Sequence, residues 1–354
     1  MRALRLNQWK SEPVLEEVPV PEPGPGEVLV QVGAAGACHS DLHLMHEFEP
    51  GMLPYDPPFT LGHENAGWVH TVGQGVTGLE VGQPVAVVGA WGCGTCAHCA
   101  AGLETYCERP DLAPVPGGGG GLGLDGGMAD YLLVPAARHV VPLPDGLEVV
   151  DAAPLTDAAL TPYHAVRRSL CKLGPGSTAV VIGVGGLGHL GLQVLTALTA
   201  TRIVAVDGRD SARVRASDLG ADLVLEPGPE TASRIREATG GCGADVVLDF
   251  VGSDETLATA AACVRQLGDI TIVGIAGGTL PVSFFGVPYE VSVQTTYWGN
   301  RAELVEVLDL AGRGLLHAAT TIYPLEDALA AYDDLTHGRV EGRAVVVPND
   351  TFRR

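Results

Sequence analysis

Hydrophobic positions divide the chain into two regions with different periodicities. Over 1–151, short apolar segments such as EVLVQV, QPVAVVG and ADYLLVP are separated by proline and glycine, which is typical of strands joined by turns. Over 152–290, continuous apolar runs such as STAVVIGV, RIVAVD and ADVVLDFVG alternate with segments of helical pattern that end at glycine. Because such alternation indicates a parallel sheet covered on both faces, the pattern predicts an α/β chain: a β-rich domain followed by a doubly wound domain.

The last segment, 291–354, contains one helical stretch, NRAELVEVLDLAGRG, and one strand, GRAVVVP. We expect this segment to complete the edge of the parallel sheet and then to return to the first domain. A glycine-rich stretch at 114–127, PVPGGGGGLGLDGG, predicts a flexible, solvent-facing connector rather than an element. The run at 177–200 carries no formal charge and is long enough for a membrane helix, but its five glycines favour a strand, a turn and a helix.

Charge and the first residues narrow the class of protein. Asp and Glu number 42 against 21 Lys and Arg, for a formal charge of −21. This balance argues against a nucleic-acid partner, which would require a basic face. The start, MRALRLNQWK, lacks the apolar core of a secretory signal. We therefore expect a cytoplasmic protein that binds neither nucleic acid nor a membrane.

The motif GVGGLG follows a predicted strand and opens a predicted helix, which is the context of a dinucleotide site. Gly183 allows the tight turn, Gly185 lets the backbone approach a pyrophosphate, and Gly188 allows close packing of helix and strand. Asp207 ends the next strand, where a carboxylate can bind the adenine-ribose hydroxyls of NAD. The alternatives are a turn without a cofactor, and a swing of Arg209 toward the 2′-phosphate of NADP.

The stretch WGCGTCAHCAAGLETYC predicts a structural zinc site. Four thiolates at this spacing can close a tetrahedral shell around Zn²⁺ with no open position for water. The alternatives are disulfides and an iron–sulfur cluster. His98 lies among these residues as a bystander, since it would make a fifth ligand. The four predicted ligands, in a lobe over 93–107, are Cys93, Cys96, Cys99 and Cys107.

A second metal site is suggested by the stretches GACHSDLH and LGHENAG. Cys38 and His63 could hold a metal there and leave one position open. Taken alone, each of these residues is more often found in a core or a loop than as a ligand.

Five motifs occur in the same order as in the zinc-dependent medium-chain alcohol dehydrogenases, which the chain resembles over essentially its whole length. They are GACHSDLH, LGHENAG, the four-cysteine stretch, PLTDAALTPYHA and VVIGVGGLG. The likeness is closest to bacterial, actinobacterial-type NAD-dependent secondary-alcohol dehydrogenases. It implies a GroES-like catalytic domain, a Rossmann domain, and one catalytic and one structural zinc per chain. The implied reaction is reversible hydride transfer between secondary or primary alcohols and NAD, which gives ketones or aldehydes and NADH. We also expect a homodimer or homotetramer, and VPYEVSVQTTYWG could supply a sheet edge for a dimer.

The resemblance assigns roles to single residues. Cys38, His63 and Asp157 match the catalytic zinc ligands, and Glu64 matches an acid beside the metal that is an alternate ligand. From the sequence alone, Cys171 and His164 are rivals of Asp157 as the third ligand.

The proton path and the binding residues are also implied by the resemblance. Ser40 matches the group that takes the alcohol proton, His43 the outer member of the relay, and Asp41 the carboxylate that orients the ligand histidine. The alternative for His43 is an exposed loop histidine. The implied cofactor contacts beyond those given above are Gly186, Leu187, Val251, Val273, Arg343 and His39, and the implied substrate-pocket residues are Tyr55 and Trp298, whose alternative role is packing.

Two other classes compete with this interpretation. A zinc-free quinone or enoyl reductase would share the architecture but lack the metal ligands. A zinc-stabilised binding protein would leave the glycine motif and the CHSD stretch without a purpose.

Overall fold

The structure, a computed structural model, describes residues 1–351 and forms two compact units. The first comprises residues 1–160 and the described residues from 298 onward, and the second comprises 161–297. These limits lie beyond the predicted boundaries at 151/152 and 290/291. The chain passes from the first unit to the second at the start of a helix, Leu160–Arg168, that the alternation of strands does not reveal.

In chain order the strands are β1 (Arg2–Leu6), β2 (Val14–Glu17), β3 (Val28–Ala37), β4 (Phe59–Thr60), β5 (Glu64–Val72), β6 (Pro84–Val87), β7 (Gly119–Gly120), β8 (Gly123–Leu124), β9 (Tyr131–Val134), β10 (Val140–Pro142), β11 (Thr178–Ile182), β12 (Arg202–Val206), β13 (Leu223–Leu225), β14 (Ala244–Asp249), β15 (Val264–Ile272), β16 (Ser292–Thr295), β17 (Thr320–Pro324) and β18 (Arg343–Val347). The α-helices are α1 (His39–His46), α2 (Ala97–Ala100), α3 (Val149–Ala152), α4 (Leu160–Arg168), α5 (Gly188–Leu198), α6 (Asp210–Asp218), α7 (Thr231–Ala238), α8 (Asp254–Cys263), α9 (Arg301–Gly312) and α10 (Ala328–Thr336). Short 3₁₀ helices lie at Glu104–Tyr106, Ala137–His139, Ala153–Thr156, Leu170–Lys172 and Leu325–Asp327.

The first unit is built around a seven-stranded sheet in the order β10-β6-β5-β3-β18-β17, with β9 also paired to β3. All ten residues of β3 are buried, because this strand pairs with β5, β9 and β18 and lies between covered faces. Strand β18 comes from the end of the chain and pairs antiparallel with β3. Helix α10 packs into the same apolar core through side chains such as Tyr332 and Leu335. The C-terminal segment therefore contributes directly to the sheet that carries the site described below.

The second unit contains a six-stranded parallel sheet in the order β13-β12-β11-β14-β15-β16. Its central strand β11 is buried at all five positions, as the continuous apolar run predicts. The uncharged run at 177–200 forms β11, a glycine turn and α5, so the predicted strand, turn and helix are observed. Within residues 1–351, no helix combines the length and the apolar character needed to cross a membrane. The predicted α/β class with a parallel-sheet domain is confirmed.

The glycine-rich stretch at 114–127 is not the solvent-facing connector that the sequence predicts. It contains β7 and β8, and Gly118 to Gly121 are buried. A Cβ atom at Gly121 would lie 2.5 Å from the backbone carbon of Gly62, and one at Gly127 would lie 1.9 Å from Asn65 Oδ1. Gly121 therefore allows close packing against the Gly62 backbone and Gly127 against the Asn65 side chain, at the segment that leads into β5.

Candidate active site

Four side chains in the first unit converge on one point. The ligand atoms of Cys38, His63, Glu64 and Asp157 all lie within 4.8 Å of one another. Cys38 directly follows β3, and His63 directly precedes β5, which is paired antiparallel with β3. Asp157 follows the 3₁₀ helix Ala153–Thr156. The sheet pairing therefore brings together two stretches that the sequence could only mark separately.

Asp157 is the third member of this group, as the resemblance implies. Its Oδ2 lies 3.7 Å from His63 Nε2. Asp157 belongs to the same unit as Cys38, His63 and Glu64, and its carboxylate is one of the donors that converge within that unit.

Glu64 contributes an oxygen to the group but is held by Arg343 of β18. Arg343 Nε donates to Glu64 Oε2 at 2.9 Å, and Arg343 Nη2 pairs with the other oxygen. Both side chains are buried. Gly36 makes room for this pair, because a Cβ atom there would lie 1.8 Å from Glu64 Oε2. Arg343, predicted as a cofactor contact, is thus engaged in a buried ion pair with the predicted alternate ligand.

The electrostatics of this group fit a bound cation. Burial raises the pKa of the Cys38 thiol, but the charge of Arg343 and the contact with His63 lower it, and the result is a pKa of about 7. Burial lowers the pKa of His63, but Asp41 and Asp157 raise it well above its ordinary value. Anionic donors thus stabilise positive charge at this point. A thiolate, an imidazole and a carboxylate form a donor set that suits zinc.

Asp41 lies behind the metal group and is fully buried. Its Oδ1 is 3.2 Å from His63 Nδ1, and its Oδ2 accepts the Cys38 backbone N–H at 3.0 Å. This arrangement directs the other imidazole nitrogen, Nε2, toward Asp157. The predicted orienting carboxylate is therefore in contact with the predicted ligand. Tyr332 also donates to Asp41, a contact that no local sequence signal could reveal.

Helix α1 presents the predicted proton-relay residues. Ser40 Oγ lies 3.4 Å from His63 Nε2. His43 follows three positions later, on the same face of the helix, and its Nδ1 lies 2.7 Å from Glu47 Oε2. The His43 side chain is 22% exposed, which suits exchange of a proton with solvent. His39, the first residue of this helix, is exposed.

The two predicted pocket residues have different surroundings. Trp298 is buried and meets His63 edge to face, with ring centroids 5.8 Å apart. Gly89 makes this possible, because a Cβ atom there would lie 2.2 Å from the Trp298 ring. Tyr55 packs edge to face on Phe59, with centroids 6.0 Å apart. The structure therefore brings Trp298 next to the metal group and gives Tyr55 a packing contact.

The four-cysteine lobe forms the second convergent group within residues 1–351. The Sγ atoms of Cys93, Cys96, Cys99 and Cys107 lie within 4.8 Å of one another. All four are free thiols, with Cys93 and Cys99 Sγ atoms 3.9 Å apart, which disagrees with the disulfide alternative. Backbone N–H groups point at the sulfurs, for example Cys96 N to Cys93 Sγ at 3.3 Å. Hydrogen bonds from Thr95 and Cys96 lower the pKa of Cys93 to about 6, whereas burial raises the pKa of Cys99 to about 12, so it is the convergence of the four sulfurs that indicates a metal site.

His98 is outside this second group, as predicted. Its Nδ1 lies 2.7 Å from the carbonyl oxygen of Tyr106. Glu104, which the sequence did not single out, fastens the lobe to the body of the unit by accepting from Gly92 N at 2.9 Å and contacting His139 Nε2 at 2.8 Å. The lobe is therefore attached to the rest of the unit through the half-buried Glu104 and its contact with His139, in addition to its sulfur cluster.

Cys96→Ser should release one zinc per chain and lower the melting temperature by about 5 °C or more, because a structural metal site contributes its binding free energy to folding. Metal analysis and thermal unfolding measure both effects. Cys171→Ser is the matched control, since Cys171 is an exposed thiol outside both groups. A Cys96→Ser protein with full zinc content and unchanged stability would show that the lobe is not a zinc site.

The glycine motif of the second unit has the predicted geometry. Gly183 directly follows β11 with a φ of +86°, which favours glycine, and a Cβ atom there would lie 2.7 Å from Val251 Cγ2. A Cβ atom at Gly188 would lie 1.8 Å from the Gly183 carbonyl oxygen. At Gly185 the nearest neighbour would be Arg209 Nη2 at 3.6 Å, so the approach to this backbone is open to a ligand. Gly186 and Leu187 complete the turn before α5.

Asp207 stands at the end of β12, beside this turn. Its Oδ2 accepts the Val184 N–H at 2.7 Å, and its Oδ1 accepts the Arg209 N–H at 2.9 Å. Burial raises the pKa of this carboxyl, but the hydrogen bonds from Arg209 and Val184 lower it below its ordinary value, so Asp207 is charged. Val251 and Val273 lie just beyond the carboxyl ends of β14 and β15, which is the edge where ligands bind to such sheets.

A β-rich unit with two metal-type donor groups, joined to a parallel sheet with a dinucleotide turn, defines a zinc-dependent dehydrogenase of the medium-chain class. Comparison with known proteins agrees. Residues 24–145 match the family model of the alcohol dehydrogenase GroES-like domain, and residues 186–313 match that of the zinc-binding dehydrogenases. The chain belongs to the zinc-dependent medium-chain alcohol dehydrogenase family.

Individual relatives are similar over nearly their whole length. An alcohol dehydrogenase of Geobacillus stearothermophilus is 35% identical over 98% of this chain and 99% of its own. An NAD-dependent alcohol dehydrogenase of Sulfurisphaera tokodaii is 35% identical over 98% of this chain and 100% of its own. The crystal structure of an alcohol dehydrogenase from Aeropyrum pernix, also 35% identical, matches 98% of this chain and 100% of its own with a TM-score of 0.90.

Proposed function

We propose that this protein is an NAD-dependent zinc alcohol dehydrogenase that interconverts secondary or primary alcohols and the corresponding ketones or aldehydes. The observation that carries the proposal is the convergence of a thiol, an imidazole and a carboxylate at Cys38, His63 and Asp157, in a chain that also has a dinucleotide turn. A zinc-free reductase would have no use for these three donors. The relatives named above are alcohol dehydrogenases.

The residues divide the chemistry among themselves. When bound, zinc supplies Lewis-acid polarisation of the alcohol oxygen, and NAD accepts the hydride. Cys38, His63 and Asp157 would hold the zinc, and the Asp41 carboxylate, whose Oδ1 lies 3.2 Å from His63 Nδ1, would orient the imidazole for it. The geometry supports these roles because a carboxylate oxygen lies near each imidazole nitrogen, Asp41 Oδ1 at 3.2 Å from Nδ1 and Asp157 Oδ2 at 3.7 Å from Nε2.

The alcohol proton leaves through α1. Ser40 takes this proton, because a hydroxyl can accept one hydrogen bond while donating another. His43 passes it on to solvent, because its side chain is 22% exposed. The Glu47 carboxylate, 2.7 Å from His43 Nδ1, stabilises the protonated ring during transfer.

The remaining roles are proposed on the same basis. Trp298 shapes the substrate side of the metal group and favours apolar-flanked carbonyls, since its ring meets His63 at 5.8 Å.

The active protein is a cytoplasmic homodimer or homotetramer. Free, clustered thiols are typical of the cytosol. The self-association is supported by the edge strand β16, and by Phe284 and Phe285, which are 73% and 87% exposed in the segment before it.

The test combines metal analysis with a cofactor assay on the purified protein. We expect two zinc ions per chain, together with consumption of NADH in the presence of a small ketone and its formation from the matching alcohol. A protein with zinc but no hydride transfer to any of a panel of ketones and aldehydes would favour a binding role. A protein that reduces quinones or enones without zinc would belong to the other enzyme class.

NAD should be preferred over NADP by on the order of a hundredfold in kcat/KM, or roughly 2–4 kcal/mol. The Asp207 carboxylate can accept hydrogen bonds from the ribose hydroxyls, whereas a 2′-phosphate would meet its negative charge. Asp207→Asn should shrink the preference, because it keeps an acceptor for the Val184 N–H but removes the charge. Asp210→Ala, which removes a 92% exposed carboxylate three positions on, is the control and should leave the ratio unchanged. Equal use of both cofactors by the wild type would overturn the assignment of Asp207.

A further inference from the structure

Tyr332 is a buried phenol whose hydroxyl reaches the metal group from the far end of the chain. It lies on α10, and its hydroxyl is 3.0 Å from Asp41 Oδ2 and 3.2 Å from Met128 Sδ. A carboxylate is a much stronger acceptor than a thioether, so the hydroxyl proton points to Asp41. Burial and the Asp41 charge raise the pKa of Tyr332 well above its ordinary value, so this hydroxyl keeps its proton and remains a donor.

The two carboxylate oxygens of Asp41 have different neighbours. Oδ2 accepts two donors, the Cys38 backbone N–H and the Tyr332 hydroxyl, each at 3.0 Å. Oδ1 faces His63 Nδ1 at 3.2 Å. Two donors on one oxygen fix the plane of the carboxylate, which leaves the other oxygen directed at the imidazole. Without the hydroxyl, one backbone N–H alone would hold that orientation.

We propose that Tyr332 is a positioning residue for the catalytic zinc: its hydroxyl fixes the Asp41 carboxylate, and through it the orientation of the His63 ring. This inference rests on the proposed function, because zinc is the ligand that His63 would hold. Helix α10 already packs into the apolar core through Ala331 and Leu335. The Tyr332 hydroxyl would give the same helix a second role, at the metal group. The alternative is that Tyr332 only fills space, in which case a phenyl ring would serve as well.

Tyr332→Phe tests this proposal because it removes the hydroxyl and keeps the ring. We expect about 10-fold weaker retention of one of the two zinc ions, as is typical when an outer partner of a metal ligand is lost. The measurement is the time course of zinc transfer to a coloured chelator. The second zinc, in the cysteine lobe, should be released at the wild-type rate. With cobalt in the catalytic site, the visible absorption bands should shift because the imidazole is less well oriented.

Tyr323→Phe is the matched control. Its hydroxyl also donates to an aspartate, Asp334 Oδ2 at 2.7 Å, but Asp334 is partly exposed and is not part of either metal group. This variant should therefore release both zinc ions at the wild-type rates. A further check is the double variant with Asp41→Asn. If Tyr332 acts through Asp41, removing the hydroxyl in the Asp41→Asn background should have little additional effect on zinc release.

Three results would overturn the proposal. The first is wild-type zinc release and an unchanged cobalt spectrum in Tyr332→Phe. The second is equally faster release of both zinc ions, which would indicate a general packing defect. The third is an effect of full size in the Asp41→Asn background. A wild-type protein that binds only the lobe zinc would instead contradict the proposed function itself, and this is seen before any variant is made.

Discussion

Asp157→Ala is expected to lower kcat by more than about 100-fold, because losing a zinc ligand should exceed the 10–100-fold effect of losing only an outer partner of a ligand. The variant should also lose the catalytic zinc and keep the zinc of the cysteine lobe. The physical reason is that Asp157 supplies one of three donors, and its Oδ2 already lies 3.7 Å from His63 Nε2. Initial rates with a ketone and NADH, together with zinc content, measure both effects.

Asp151→Ala is the control for this variant. Asp151 is a partly exposed acid of α3, six positions earlier, and it is not among the converging donors. Activity and zinc content should therefore stay at the wild-type level. If Asp157→Ala kept its turnover and both zinc ions, the third ligand would have to be Glu64, released from Arg343, or one of the rivals that the sequence left open.

Ser40→Ala is expected to lower kcat by roughly 10²–10⁴-fold, the range that general acid–base groups contribute, while zinc content stays intact. Ser40 Oγ lies 3.4 Å from His63 Nε2, within the metal group's surroundings, yet Ser40 is not one of the donors. The variant thus separates proton transfer from metal binding.

Two further variants define the relay. Ser40→Thr keeps a hydroxyl and should recover most of the lost activity. His43→Gln should reduce kcat less than Ser40→Ala does, and mainly at lower pH, where a base is scarcest. Wild-type turnover in Ser40→Ala would exclude this serine from the proton path, whatever the behaviour of His43.

Local patterns in the sequence were sufficient for the parallel sheet, the dinucleotide turn and the cysteine lobe. Each is encoded by residues only a few positions apart. Gly183 and Gly188 meet within one turn, where a Cβ atom at Gly188 would touch the Gly183 carbonyl oxygen at 1.8 Å. The spacing of Cys93, Cys96 and Cys99 likewise brings their sulfurs to one point through a short helix. Such features need little help from the rest of the fold.

The catalytic group required more than local pattern. The sequence marked Cys38, His63 and Asp157 through a resemblance, but it could not choose between Asp157 and its rivals by chemistry alone. The pairing of β3 with β5, and the 3₁₀ helix before Asp157, bring these donor atoms within 4.8 Å of one another. Proximity of this kind depends on how the sheet is assembled, which no window of neighbouring residues encodes.

The buried partners of the site were decided by tertiary structure alone. Tyr332 and Asp41 are 291 positions apart, and Arg343 and Glu64 are 279 apart. The glycines at 114–127 resembled a flexible loop because the residues that they pack against, around 62–65, lie far away in the sequence. The sequence by itself pointed to the family, to the individual strands and helices, and to the residue types of the two metal-binding groups. Only the folded chain determined which carboxylate each cation meets, because burying a charge requires a partner, and that partner can come from any strand or helix that packs nearby.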